Sequence, residues 1–433
     1  MKTAWWKSLA WNLLAGLFIP VFFIAALLPA RRRLFVWGST PIIGNKYWSA
    51  AVAETGRESV TIMSTLYAIN QRDDFDRFFE DFAPRGLPHS LRFALGGCLA
   101  LIHVLRHARV LHTSFDGFAL TLTAFWRLEA LLFRLAGIKV VVLSYGGDGY
   151  VTSRVVDTSL RYGILACYPR LARLDASIAK RVTYWSERAD IVLVGLMIDG
   201  MPRWDVTTNQ IFIMDTRAWR GKPAYSDRDG TNGTVRVLHS PNHRDAKGTE
   251  FLIDAVERLR SEGLDVELVL LEKVPNERVK SLMQEVDILA EQFISTGYGI
   301  SGIEGLASGL PVMANLEHEA YTRVFRRYGF LDECPILSTS PENMVRNLRI
   351  LVTRPDLRRV LGQASRQYAE KYHSFAAAQY MFEAIYDRIL DGRDVDLINL
   401  FHPLKSPYNR RTPIVEHPLV DSKLPGQAMD SLR

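Results

Sequence analysis

Residues Gly297–Val312 read GYGISGIEGLASGLPV. A glycine-rich loop runs into a short helix carrying one acid, Glu304. Gly309 and Pro311 then end that helix, and an apolar strand begins at Val312. A loop entering a helix N-terminus offers free N–H groups and the positive end of the helix dipole, so it is a ready site for phosphate. Glu304, one turn in, is placed to grip a sugar hydroxyl. The stretch predicts half of a nucleotide-sugar site, because a diphosphate also needs cations.

The cations stand in the segment before it. Val235–His239 reads as a strand, followed by the basic loop Ser240–Gly248 (SPNHRDAKG) and a helix that Thr249 caps. Arg244 and Lys247 share that loop at a strand's carboxyl end, where both heads can reach one diphosphate. Arg binds it in bidentate fashion and Lys adds a point charge. Further strands are expected at Val266–Leu271, Asp287–Ala290 and Pro335–Leu337, alternating with helices at Asn276–Glu285, Pro341–Val352 and Pro355–Tyr372. This half reads as a Rossmann-like unit over residues 234–375, entered through a polar linker over 218–233.

The first half, residues 34–217, has the same alternation. Strands are expected at Leu34–Gly38, Ser59–Ser64, Arg109–His112, Ile138–Ser144 and Asp190–Val194, with helices at Tyr47–Thr55, Phe118–Ala136 and Ala172–Arg188. IKVVVLS at Ile138–Ser144 is the continuous apolar run of a strand buried on both faces of a parallel sheet. Ligands of such sheets bind at the strands' carboxyl ends. Two polar loops lie there, His112–Gly117 and Tyr145–Tyr150. Asp148, His112 and Asp116 are the candidate catalytic groups, able to act on an acceptor hydroxyl as base or hydrogen-bond partner. Asp-Gly pairs also shape turns, and a histidine at a strand end is often structural.

At the N-terminus, Leu9–Leu28 is almost wholly apolar, with Lys2 and Lys7 before it and Arg31, Arg32 and Arg33 after it. As a helix it would span about 30 Å, the thickness of a hydrocarbon core. Residues 1–33 are therefore a membrane anchor, with Trp5, Trp6 and Trp11 suited to an interfacial belt, and the three arginines predict a cytoplasmic body. Pro20 allows a re-entrant hairpin in place of a span. The helices around Leu91–Leu105 and Phe118–Ala136 are greasy and interspersed with arginines, which suits ordinary core helices or a face lying on a bilayer.

The chain has 433 residues and 48% hydrophobic content, enough for two cores. The net charge of +6 is mixed along the sequence, which argues against nucleic acid as a partner. Three dispersed cysteines form neither a disulfide framework nor a metal knuckle.

Two Rossmann-like halves, the SPNHRDAKGT loop and the GYGISGIEGLASGLPV stretch resemble the retaining GT-B glycosyltransferases of the family 4, or "group 1", type. The likeness is specific over about Val235–Asn315 and architectural before it. It implies that Arg244 and Lys247 bind the donor diphosphate and that Gly297, Tyr298, Gly299, Ser301 and Gly302 form the loop beside the donor. Glu304 matches the second acid of the family's E-x7-E motif, which holds the ribose. The first acid, which in the family contacts the transferred sugar, is replaced by Thr296; Glu291-Gln292, a few residues earlier, could substitute for it by a different loop path. The resemblance also implies a helix returning to the first half, over residues 376–392; by composition, residues 393–433 read as a Pro-rich, polar tail extended over the surface.

The fold expected is thus α/β, with two Rossmann-like domains facing across a cleft. The function expected is transfer of a sugar from a nucleotide-sugar to a membrane-associated, lipid-linked glycan in surface polysaccharide assembly. It would proceed at the cytoplasmic membrane and without a metal cofactor. Three alternatives compete. Gly297, Gly299 and Gly302 also satisfy the G-x-G-x-x-G of a NAD-binding oxidoreductase, but here the motif follows several βα units and its helix is cut short. A sugar-nucleotide epimerase of the same fold would need no anchor, and a membrane scaffold would need no Arg244, Lys247 and Glu304.

Overall fold

The computed structural model describes residues 5–67, 70–195, 199–272, 274, 276–411 and 413–426. Two all-parallel sheets organise the chain. The first contains β1 (Leu34–Ser39), β2 (Ser59–Met63), β3 (Arg77–Phe78), β4 (Ala108–Thr113), β5 (Lys139–Leu143), β6 (Ile191–Val194) and β7 (Val206–Thr207), in spatial order β3-β2-β1-β4-β5-β6-β7. The second contains β8 (Val235–His239), β9 (Val266–Leu270), β10 (Ile288–Gln292), β11 (Val312–Ala314) and β12 (Leu337–Ser338), in order β12-β11-β10-β8-β9. Strand order reverses between β1 and β4 in the first sheet and between β8 and β10 in the second. These reversals open crevices at the carboxyl ends of the strands. The expected α/β class with two parallel-sheet domains is what the chain forms.

Burial explains the strand sequences. Val140–Leu143 are all buried, as a strand covered on both faces requires. Gly305 shows the close packing at the second sheet: a Cβ there would lie 2.2 Å from Leu289 Cδ2 on β10. Helix Ile300–Ala307 can therefore seat against β10 only with glycine at that position.

Helix Phe375–Asp391 returns to the first domain, its N-terminus capped by Ser374, which accepts from Ala377 N–H. Arg57 Nε donates to Glu383 Oε1 at 3.0 Å, and Gln379 donates to the Ala51 carbonyl at 3.0 Å. Beneath these contacts runs an aromatic seam. Trp37 stacks on His112 at 3.6 Å and meets Phe382 edge-on at 5.0 Å. Trp48 stacks on Phe212 of the interdomain segment, and Tyr386 Oη lies 2.9 Å from His112 Nε2. One apolar cluster consequently runs from the first sheet into the second domain.

Three sequence expectations need correction. Residues Phe118–Arg127 are turns, and only Leu128–Leu135 is helical. The buried Glu129 carboxylate accepts from the N–H groups of Phe118, Ala119 and Leu120 at 2.6–2.7 Å, holding that segment open. The tail beyond residue 393 is a packed strap, burying Leu397, Leu400, Phe401, Tyr408, Val415 and Leu419 and reaching β12, where Ser338 N–H donates to the Ser422 carbonyl. Its last residues, 427–433, lie outside the described residues.

The N-terminal helix, Trp5–Leu27, runs unbroken through Pro20, so it forms no hairpin. It is long and apolar enough to cross a membrane by length and composition. It packs lengthwise on helices His89–His107 and Leu128–Leu135, burying Ala15, Phe22, Ala25 and Ala26. Asn12 Oδ1 accepts from Ala124 N–H at 2.7 Å. Its opposite side leaves Leu9, Leu13, Leu17, Val21, Ile24 and Leu28 exposed. Lys2 and the side chains of Trp5, Trp6 and Lys7 lie outside the described residues.

The seam carries a measurable load. Tyr386→Phe leaves His112 Nε2 without its bond in a buried setting, and the loss is expected to cost about 1–2 kcal/mol of stability. Thermal unfolding checks it; an unchanged midpoint would mean that the helix is held by its surface contacts alone.

Candidate functional site

In the second domain, the turns after β8 and β10 meet at the strand-order reversal. The basic loop forms one helical turn, Arg244–Lys247, closed by Gly248 in the left-handed region at φ +72°. Lys247 Nζ donates to Gln292 Oε1 at 2.9 Å and to Glu291 Oε1. Glu291 Oε1 also accepts from Ser301 Oγ at 2.9 Å. The Glu291 side chain is fully buried, and its second oxygen has no hydrogen-bond partner among the described residues. A Cβ on Gly299 would sit 3.3 Å from Glu291 Oε1 and 3.8 Å from Lys247 Nζ, so glycine keeps this point open. Gly299 is also the N-cap of helix Ile300–Ala307, and no side chain caps that end. Gly297, at φ +118°, donates to the Asn315 carbonyl and accepts from Gln292 Nε2.

Lys247, Gly297, Gly299 and Ser301 thus converge. One cation, one hydroxyl group and an uncapped helix N-terminus surround one place, and each favours an anion. Glu304 lies one turn further along, buried. Burial pushes its pKa up to about 8, against a hydrogen bond from Asn276 and with a contribution from the Glu291 charge.

Three expected donor residues stand differently. Arg244 does not share the cavity with Lys247. Its guanidinium points outward to Glu250, Nε to Oε1 at 2.8 Å, and to Glu272 at 3.3 Å, because both acids lie within reach on the outer side of the turn. The Tyr298 ring is core: it is 2% exposed, and its Oη meets Tyr368 Oη at 2.9 Å and His373 Nε2 at 3.2 Å. Only its backbone serves the loop, the carbonyl accepting from Gln210 Nε2. Gly302 lies inside the helix, where a Cβ would come within 3.2 Å of Tyr298 Cβ and 3.4 Å of Glu291 Cγ. It serves packing.

Across the cleft, Asp148 ties the two loops of the first domain together. Its Oδ1 accepts from Tyr145 N–H at 2.8 Å and its Oδ2 from Phe115 N–H at 3.1 Å. Burial, and after it the Asp116 charge, raises its pKa to about 7. Asp116 is half-exposed and paired with Arg181. His112 is not a catalytic candidate. It is fully buried, stacked on Trp37, hydrogen-bonded to the Val36 carbonyl and Tyr386, and burial pushes its pKa down to about 3. A neutral, enclosed imidazole of this kind holds the crossover helix.

A cavity of about 270 Å³ lies between the domains, lined by Lys247, Gln292 and Thr296–Gly299 on one side and by Tyr145, Gly146 and Tyr168 on the other. Helix Thr158–Cys167 closes over the basic turn, where a Cβ on Gly163 would lie 3.4 Å from Ala246 Cα. Tyr168 Oη bonds His243 Nε2 across the same junction. Glu291 and Gln292, expected just beyond the strand as a stand-in for the missing first acid, are the last residues of β10. Nothing in the sequence marks Tyr168 or His243.

No family model and no curated protein sequence matches the chain. Among solved structures, sucrose-phosphate synthase from Thermosynechococcus elongatus aligns with a TM-score of 0.52 at 13% identity, over 84% of this chain and 100% of that one. WaaG, a glycosyltransferase involved in lipopolysaccharide biosynthesis, aligns at 0.39 and 15% identity, over 82% and 100%. The catalytic domain of starch synthase IV from Arabidopsis thaliana, bound to ADP and acarbose, aligns at 0.44 and 11% identity, over 84% and 100%. The first likeness is one of fold alone, the two-domain GT-B arrangement. The other two are too distant to carry an argument.

The Glu304 proton gives a test of the site's electrostatics. Between the ordinary value of 4.5 and the folded value of about 8, the native state holds a proton that the unfolded chain has lost. Stability is therefore expected to fall as pH rises through that window. Glu304→Gln should flatten the profile of melting temperature against pH between 5 and 8, and an unaltered slope would place the titration elsewhere.

Proposed function

We propose that the chain is a glycosyltransferase that takes a sugar from a nucleotide-sugar held by the second domain and passes it to an acceptor held by the first. The observation that carries this reading is the convergence of Lys247, Gly297 and Gly299, the uncapped N-cap of helix Ile300–Ala307, on one cavity, faced by Tyr145 and Gly146 of the loop that Asp148 holds. Lys247 and the helix end would neutralise charge that develops on the departing nucleoside diphosphate. Glu304 would hold the ribose. Asp148, with its pKa near 7, would take the acceptor hydroxyl's proton. No metal is part of the proposal, because Lys247 and the helix N-terminus supply the positive field.

The buried Lys247–Glu291 pair supports this use. Such pairs add little net stability, since desolvation offsets their attraction. A lysine held inside a cleft by two side chains is better accounted for by a ligand. A buried acid, Glu291, also stands in the chain a few residues before Thr296, where the related pattern has its first acid. We assign Glu291 the task of positioning Lys247 and Ser301 for the donor.

Retention of configuration belongs to the proposal by resemblance. So do the membrane, the lipid-linked glycan and a place in surface polysaccharide assembly on the cytoplasmic side. The membrane part is supported by the exposed leucine stripe of helix Trp5–Leu27 and the arginines that follow it.

Lys247→Ala is expected to weaken nucleoside diphosphate binding by about 1–3 kcal/mol, and Arg244→Ala by less, as calorimetry would report. Asp148→Asn should keep donor affinity and lower transfer about a hundredfold or more. Because the base must be ionised, wild-type transfer should climb through pH 7 and level off above it, and it should survive chelators. Unchanged donor binding in Lys247→Ala would refute the assignment.

Deleting residues 1–30 would strip Phe22 and Ala25 from the core, so the membrane role needs a gentler change. Leu13→Glu with Leu17→Glu alters only exposed positions. The pair is expected to release the protein from anionic vesicles in a sedimentation assay while the melting temperature holds. Undiminished sedimentation would rule out that face.

A further inference from the structure

A second cavity, of about 230 Å³, lies in the first domain beneath the N-terminal helix. One end is apolar: Trp11, Leu14 and Phe93 line it, and the Trp11 and Phe93 rings stand 5.6 Å apart. The other end is polar, reaching Ser39 and Ser64 at the carboxyl ends of β1 and β2 and then Asp116. Asp116 in turn adjoins Asp148, whose Oδ2 is held by Phe115 N–H. The cavity therefore runs from the apolar helix to Asp116, next to the loop that Asp148 holds. Its wall includes Leu122, which is 56% exposed, on the opening side.

We infer that this cavity takes the first carbons of a single hydrocarbon chain belonging to the acceptor, threaded between the N-terminal helix and helix His89–His107. The inference rests on the transferase reading and specifies its acceptor as an amphiphile. Three observations favour a lipid chain as occupant. The helix that lines the cavity with Trp11 and Leu14 exposes Leu9, Leu13 and Leu17 on its other side, with nothing among the described residues covering them. That stripe ends at the exposed Arg31 and Arg33, suited to anionic headgroups. The polar end leads to carboxylates, where a hydroxyl-bearing headgroup would lie and a chain would not. The N-terminal helix is then both the surface on which the protein rests and one wall of the acceptor site.

The test uses the full-length protein and alkyl β-glucosides with four to eight carbons, brominated at the chain end. Bromine quenches indole fluorescence only at contact, and Trp11 lines the cavity. Quenching that is absent in Trp11→Phe isolates that residue. Each added methylene should tighten binding about fourfold until the cavity is full, which follows from about 0.8 kcal/mol per buried CH2. Ala94→Phe, on a half-buried position of the cavity wall, should abolish the chain-length dependence. Ala94→Leu, a milder filling with good helix propensity, should shorten the accommodated chain. Quenching that ignores Trp11, or a chain-length series unchanged in both filled variants, would overturn the inference. Nucleoside diphosphate binding, measured in the same proteins, separates the two readings. Chain binding without diphosphate binding overturns the transferase and supports the apolar site. Diphosphate binding without Trp11-dependent quenching overturns the apolar site alone.

Discussion

Helix Phe375–Asp391 belongs to the second half by chain order and to the first by packing. Everything else about the molecule depends on that crossing. A parallel sheet offers ligands only the carboxyl ends of its strands, so two such sheets make a shared site only when those ends face each other. The helix enforces this by placing Phe382 and Tyr386 against Trp37 and His112 of the first sheet. His373, just before it, donates from Nδ1–H to the Phe212 carbonyl of the interdomain segment, and its Nε2 accepts from the Tyr298 hydroxyl of the glycine loop. A single aromatic cluster thereby spans from the first sheet to the loop that opens the anion site.

The chemistry of the cleft then follows from what is buried. Lys247 is 13% exposed and held by Glu291 and Gln292, while Arg244, three residues earlier, is 38% exposed and held by surface acids. The turn between them separates the interdomain cavity of about 270 Å³ from an outer groove of about 810 Å³ lined by Arg244 and Glu250. Two cations that look equivalent in sequence therefore face two different places. In the first domain, burial raises the Asp148 pKa to about 7 while its neighbour Asp116 is paired with Arg181. Two carboxylates a short distance apart are thus set up for different tasks.

Periodicity and punctuation made much of this legible. The glycine loop, the short helix and the strand at Val312 stand where GYGISGIEGLASGLPV puts them, because glycine and proline dictate local backbone directly. The convergence of Lys247, Gly299 and Ser301 was readable from strand ends. Side-chain direction was not. Arg244 turns outward because of Glu250 and Glu272, the second of which comes from the turn after another strand. The Tyr298 ring enters the core through Tyr368 and His373, seventy and more residues away. His112 looked like a base at a strand end, and only the returning helix shows what it bonds. Each failure is a tertiary contact overriding a local pattern. The Glu129 carboxylate, unwinding the start of an expected helix, is a further instance at short range.

The central claim is that the inner cavity, with Lys247 and the end of helix Ile300–Ala307, holds a nucleoside diphosphate. A crystal structure determined with a nucleoside diphosphate tests it most directly. Phosphate oxygens are expected within hydrogen-bond distance of Lys247 Nζ and of the first N–H groups of that helix, with the ribose toward Glu304. Phosphates seated instead in the outer groove against Arg244, with the inner cavity empty, would contradict it.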